Sequence, residues 1–160
     1  MMDADELDFH NLIFRQKDLI WHICQTYRLS EAWQTEDLFQ EVLCVLWRDY
    51  KTFNRHSSER TWVYRVATNT LLSLKRKQSN LPSPTADKIL EPTFTYDDNT
   101  NHLLQLIDSL GEPDSRIIKA HLAGFNHTEI AHITQLSTAA VAMRLMRAKR
   151  KLRNLYEYEK

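Results

Sequence analysis

The sequence predicts an all-α protein of two small helical domains joined by a flexible linker. Three observations predict it. Apolar residues recur at steps of three and four over most of the 160 residues, the period of a helix that buries one face. Glycine occurs only at positions 111 and 124, so the Gly-rich phosphate loops of nucleotide-binding folds cannot be built. Residues 79–100, SNLPSPTADKILEPTFTYDDNT, hold three of the four prolines and no helical period, which divides the chain into two helical parts.

The elements follow in order. Residues 7–29 read as a helix apolar on several sides, through Leu7, Phe14, Ile20, Ile23 and Tyr27. Residues 35–50 form a second, with Thr35 as N-cap and Glu36 and Asp37 in the first turn, where the helix dipole favours acids. Leu38, Val42, Val45 and Leu46 are its buried stripe. A third helix begins near Ser58 and buries Val63, Val66, Ala67, Thr70, Leu71 and Leu74; Trp62, Arg65, Asn69 and Arg76 fall on its other side. Beyond the linker, Leu103, Leu104, Leu106, Ile107 and Leu110 restart a helix over 101–110. Pro113 suits the first turn of the next, which Gly124 ends. A short helix over 128–133 and a turn at 134–136 lead to a longer helix capped by Ser137. There Val141, Leu145, Ala148, Leu152 and Leu155 make one seam.

Net charge is zero, with 21 basic and 21 acidic residues, yet the charge is segregated. Residues 1–50 carry net −6, residues 51–80 net +6, residues 81–115 net −6 and residues 116–160 net +6. Alternating sign suits a protein with two kinds of partner, where the bland reading is ordinary solvated helix faces. The acidic start (Asp3, Asp5, Glu6, Asp8) is the opposite of a signal peptide, and the apolar stretches are too short to span a bilayer, so no membrane insertion is expected. Cys24 and Cys44 are too few for a disulfide framework and lack C-x-x-C spacing, which fits a reduced, cytoplasmic protein.

Two nucleic-acid signals stand out. The short helix, turn and long basic helix of residues 127–153 describe a helix-turn-helix, whose second helix enters a major groove. The competing reading is a helical hairpin with a basic surface. Between 47 and 65, aromatics interleave with cations: Trp47, Arg48, Tyr50, Lys51, Phe53, Arg55, Arg60, Trp62, Tyr64 and Arg65. Aromatic faces stack on unpaired bases while cations follow the backbone, so this mixture favours opened DNA. The competing reading is that Trp47 and Tyr64 are core residues at helical spacing, and Trp47 is assigned to the core on that ground. The polar loop from Asn54 to Ser58 is suited to hydrogen-bonding an extruded base. A duplex reader joined to a strand-opening reader points to promoter recognition.

Residues 35–53 (TEDLFQEVLCVLWRDYKTF) and 58–77 (SERTWVYRVATNTLLSLKRK) resemble region 2 of bacterial sigma-70 family factors, in the form of the extracytoplasmic-function group. Residues 107–153, with the Glu-Ile-Ala helix and the Arg-Leu-x-Arg-Ala-Lys ending, resemble region 4. The resemblance implies a region 2 bundle over 1–78, a linker over 79–100 and a region 4 helix-turn-helix over 101–160. It implies that Asp37, Gln40 and Glu41 dock on core RNA polymerase, whose beta-prime clamp helices and beta flap are the expected contacts. It assigns the −10 element to Lys51, Phe53, Asn54, Arg55, His56, Ser57, Ser58, Trp62, Arg65, Asn69, Lys75, Arg76 and Lys77. It assigns the −35 duplex to Ser137, Thr138, Ala142, Met143, Arg144, Met146, Arg147 and Arg150. Promoter DNA and an anti-sigma factor are the further partners implied. Departures from the family pattern are Gln135, where Gly or Asn is common in the turn, and the apolar Ala142 and Met143, to which thymine methyls are open.

No enzyme, cofactor or metal is expected. His127 and His132 are five residues apart, a step of about 500° that points their rings apart, unlike a zinc helix. The competing functions are a helix-turn-helix regulator that binds duplex DNA alone and a helical adaptor without a DNA role.

Overall fold

The structure, a computed structural model, describes residues 1–27, 29, 33–79 and 98–159. Among these are seven α-helices and one 3-10 turn, and no strand. They separate into two compact units, the first holding three helices and the second four. The expected linker lies outside the described residues except at its ends, where Ser79 closes α3 and residues 98–100 open α4.

In the first unit, α1 (Ala4–Thr26) begins ahead of its apolar period because Asp3 and Glu6 cap it, the Asp3 N–H donating to the Glu6 carboxylate at 3.1 Å. It also ends at Thr26, short of residue 29. Only one side faces inward, through Leu12, Ile20, Ile23 and Cys24; of the residues that make the helix apolar on several sides, Leu7 and Phe14 are 50% and 64% exposed. Both neighbours of α1, helices α2 (Thr35–Asp49) and α3 (Glu59–Ser79), lie against that one side, so the far side is left to water.

The N-cap of α2 is Gln34 rather than Thr35, and its N–H donates to the Asp37 carboxylate at 3.3 Å. Leu38, Val42 and Leu46 are buried, and Val45 is half-buried. Each fully buried aliphatic side chain of this kind contributes roughly 1.5–3 kcal/mol. Helix α3 starts as its sequence indicates, with Ser58 Oγ accepting the Thr61 N–H at 3.1 Å. Val63, Ala67 and Leu71 are buried, whereas Val66, Thr70 and Leu74 are half-buried. Thr68 is fully buried and returns its hydroxyl to the Tyr64 carbonyl at 2.8 Å, so the core carries no open polar group there. Arg15 of α1 grips Glu59 with its Nη2 2.8 Å from Oε1 and its Nε 3.3 Å from Oε2, a surface pair that fixes the start of α3.

The second unit comprises α4 (Asp98–Ser109), α5 (Asp114–Leu122), α6 (His127–Thr134) and α7 (Thr138–Tyr158). Its core joins Leu106 and Ile107 to Ile117, Ile118, Phe125, Ile130, Ile133, Val141, Leu145 and Ala148. Leu152 and Leu155 are half-buried, so the seam of α7 fades toward its end. Pro113 stands immediately before α5 rather than inside its first turn. Gly124, at φ 92°, turns the chain out of α5, and the Phe125 N–H closes back on the Ala120 carbonyl at 3.2 Å. Lys119 is only 6% exposed and meets Asp108 at 2.6 Å, since a lysine stays inside only when its charge is paired.

Candidate functional site

The end of α2 tightens into a 3-10 turn, Tyr50–Thr52, and releases Phe53 in an extended conformation. The loop that follows is held by its own side chains. Asn54 Oδ1 accepts the His56 N–H at 3.1 Å, leaving the amide Nδ2 hydrogens as the donors a base acceptor would meet. Arg55 takes φ 59°, and its guanidinium lies 5.7 Å from the centre of the Phe53 ring. A left-handed arginine costs energy, and such strain tends to gather at functional positions. Lys51, Asn54, Arg55, His56 and Ser58 are exposed, while Phe53 and Ser57 are half-buried.

Trp62 requires a correction. It was expected to offer a stacking face, but it is 3% exposed. Phe53 stacks on it at 4.8 Å with 27° between planes, and Tyr50 meets it edge-on at 6.4 Å. The loop folds back over the first turn of α3 and covers the indole. Trp62 therefore supports Phe53 and is not itself open to a base. Trp47 moves the other way: expected in the core, it is 43% exposed and rests edge-on against Phe9 at 4.9 Å. Tyr64 is a core residue.

Farther along α3, Arg65, Asn69 and Arg76 lie on one arc of the helix, with Arg65 half-buried and the other two exposed. Lys75 and Lys77 are exposed on flanking sides. Sequence reasoning missed a contribution from α1. An open cavity of about 330 Å³ is lined by Asp5, Asp8, Tyr50, Lys51, Phe53 and Arg55, so two carboxylates stand beside the cations of the loop. The acidic start of the chain was visible, but nothing in it indicated that this turn of α1 meets the end of α2. On α2 itself, Asp37, Gln40 and Glu41 are all exposed, clear of the buried stripe. Asp37 also serves as the cap partner of Gln34.

In the second unit, Asn126 and Glu129 cap α6 reciprocally, Asn126 N–H to Glu129 at 2.8 Å and Glu129 N–H to Asn126 at 2.9 Å. Gln135 then turns the chain at φ 61°, and Ser137 Oγ accepts the Ala140 N–H at 3.1 Å to start α7. The outward face of α7 exposes Ser137, Thr138, Met143, Met146, Arg147 and Arg150; Ala142 is half-buried. Arg144 is drawn aside by Asp114 of α5, its Nη1 3.1 Å from Oδ1, a tie that no sequence spacing announces. His121 of α5 is held below its ordinary value by burial first, and then by Lys149 and His127 nearby.

Among the described residues no cluster of three or more His, Cys, Asp or Glu is placed to hold a metal ion. None of their helices is long and apolar enough to cross a membrane.

Comparisons with known proteins match this arrangement to one family. Residues 12–81 match the profile of sigma-70 region 2, and residues 101–152 that of sigma-70 region 4. The ECF RNA polymerase sigma factor SigG of Mycobacterium tuberculosis is 38% identical over 71 residues, which is 44% of this chain; the match spans only 18% of SigG. The ECF RNA polymerase sigma-E factor of Haemophilus influenzae is 27% identical across 96% of this chain and 90% of its own. Among solved structures, the sigma factor RpoE of Bartonella quintana, in complex with the anti-sigma factor NepR, superposes with a TM-score of 0.72. It covers 96% of this chain and 99% of that one at 18% identity. CnrH, in complex with the cytosolic domain of CnrY, gives 0.68 over 95% and 89% at 19% identity. Those two likenesses are of fold. With region 2 and region 4 matched in order, and relatives named as extracytoplasmic-function factors, the chain belongs to the sigma-70 family, in its extracytoplasmic-function group.

Proposed function

We propose that the chain is a transcription initiation factor that binds core RNA polymerase and directs it to specific promoters. Residues 1–78 dock on polymerase and take the −10 element, residues 79–100 tether, and residues 101–160 read the −35 duplex. The observation that carries this is the pairing in one chain of two different exposed surfaces whose chemistry suits DNA. One is the aromatic and cationic loop at Lys51–Ser58; the other is a helix-turn-helix with Arg147 and Arg150 exposed on its second helix.

The physical route is binding without chemistry. Asp37, Gln40 and Glu41 present a polar, partly acidic face to the beta-prime clamp helices, and the second unit meets the beta flap. Stacking on Phe53 and hydrogen bonds from Asn54 favour an unstacked base by about 1–3 kcal/mol, which pulls the equilibrium toward open DNA. Arg65, Asn69, Lys75, Arg76 and Lys77 hold the neighbouring strand. Two modest DNA contacts in one chain combine through effective concentration. An anti-sigma factor, as in the complex of the Bartonella quintana factor with NepR, is the controlling partner, and the site of action is the cytoplasm.

Run-off transcription with core polymerase tests the proposal. Template-specific initiation that requires this protein is expected on a cognate promoter. Tight, specific duplex binding by the protein alone, with no effect on initiation, would instead identify a stand-alone regulator.

A further inference from the structure

We propose that α7 selects its duplex by the methyl groups of thymine, read by Met143 and Met146. This rests on the assignment of α7 to the −35 duplex made above. With 3.6 residues per turn, Ala139, Met143, Met146, Arg147 and Arg150 fall within an arc of about 100°, opposite the buried seam of Val141, Leu145 and Ala148. All five are exposed. Midway along its length that face carries two apolar side chains: Met143 and Met146 are 47% and 48% exposed and stand one turn apart as neighbours.

The chemistry of the rest of the helix narrows what it can read. In a major groove, adenine is matched by Asn or Gln, cytosine by Asp or Glu, guanine by Arg or Lys, and the thymine methyl by an apolar side chain. Residues 137–153 contain no Asn, Gln, Asp or Glu. The side chains that select adenine or cytosine are thus absent from the reading helix, since the hydroxyls of Ser137 and Thr138 bond to either and select neither. The first cation, Arg144, is engaged by Asp114. Arg147 and Arg150 remain for guanine or phosphate, and the methionine pair remains for thymine. Methionine suits the task, because its unbranched, polarizable chain adapts to a methyl without a fixed hydrogen-bond geometry. Ala142, half-buried at the side of the arc, is the weaker candidate.

The test uses the full chain bound to core polymerase. The complex first selects its preferred −35 duplex from randomised double-stranded oligonucleotides. Each thymine of that duplex is then replaced by deoxyuridine, which removes one methyl and nothing else. Deoxyuridine at one or more positions is expected to weaken binding about fourfold per methyl. The Met143→Ala/Met146→Ala variant is expected to bind the thymine and deoxyuridine duplexes equally, with an unchanged melting temperature. Met146→Leu should restore the preference. Arg147→Ala should weaken binding to the selected duplex whichever base is present. If deoxyuridine is neutral everywhere while Arg147→Ala still weakens binding, the methyl reading is wrong and the assignment of α7 stands. If both changes are neutral, the assignment of α7 fails as well.

Discussion

Replacing Trp62 with alanine separates two roles by their size. A surface residue that stacks on DNA would cost about 1–3 kcal/mol of binding when removed. Its loss would change folding stability by no more than roughly 0.5 kcal/mol. Trp62 is instead 3% exposed, with Phe53 stacked on it and Tyr50 against its edge. Truncating a buried Trp costs about 3–5 kcal/mol, because the indole's transfer energy is lost and a cavity is left. A small domain holds only on the order of 5 kcal/mol in total, so Trp62→Ala should bring the first unit close to unfolding. Urea unfolding followed by far-UV circular dichroism measures the loss, and hydrogen exchange of peptides from α1, α2 and α3 assigns the transition to that unit. Phe53→Ala, which removes the half-buried upper ring, should cost far less stability. It should impair transcription from duplex promoters, and a template already opened at −10 should recover most of the activity. A stability change below about 1 kcal/mol for Trp62→Ala would refute the buried-support reasoning.

Gln135→Gly should stabilise the second unit by about 0.5–1 kcal/mol, since a residue with a Cβ is strained at φ 61° and glycine is not; thermal unfolding measures it. Asp5→Asn with Asp8→Asn should tighten binding to single-stranded DNA about two- to fivefold near 50 mM salt, because both carboxylates line the cavity with Lys51 and Arg55. Fluorescence anisotropy should show the gain fading as salt rises. Cys24 is pushed up to about 12 by burial, so alkylation at pH 8 should modify the exposed Cys44 and leave Cys24 intact until the fold opens. Because the folded chain keeps the Cys24 proton that the unfolded chain releases from about pH 9, this thiol should make stability fall as pH rises from about 9 to about 12. Cys24→Ala should flatten that part of the curve in alkaline denaturation.

Helical period made much of the fold legible. The stripe Leu38, Val42 and Leu46 and the seam Val141, Leu145 and Ala148 are buried because a residue's place on a helix follows from spacing alone. Capping was legible at Ser137, and the start of α3 was legible near Ser58; both hydroxyls meet a backbone N–H three residues on. It was misread at Thr35, where the longer Gln34 stands at the cap and Asp37 answers it. The misplaced aromatics have another cause. Trp62 and Trp47 both lie at positions whose burial depends on what a separate segment covers, and helical spacing carries no information about a loop folding back. The tie between Asp114 and Arg144 was hidden for the same reason, since it joins α5 to α7 across the sequence. Of the candidate site, residue types were legible, and their exposure was decided by tertiary neighbours.

The loop at 53–58 has a thermodynamic consequence. Asn54 already bonds the His56 amide, Arg55 already sits in its left-handed well, and Phe53 already rests on Trp62 before any DNA arrives. Freezing one residue's backbone costs about 1–2 kcal/mol, so a loose loop of this length would surrender much of its contact energy on capture. Here folding has met that entropic cost in advance. In the proposed capture of a base, the energy of stacking and hydrogen bonding is then left to distinguish one base from another, and correct bases should be told apart by how slowly they leave.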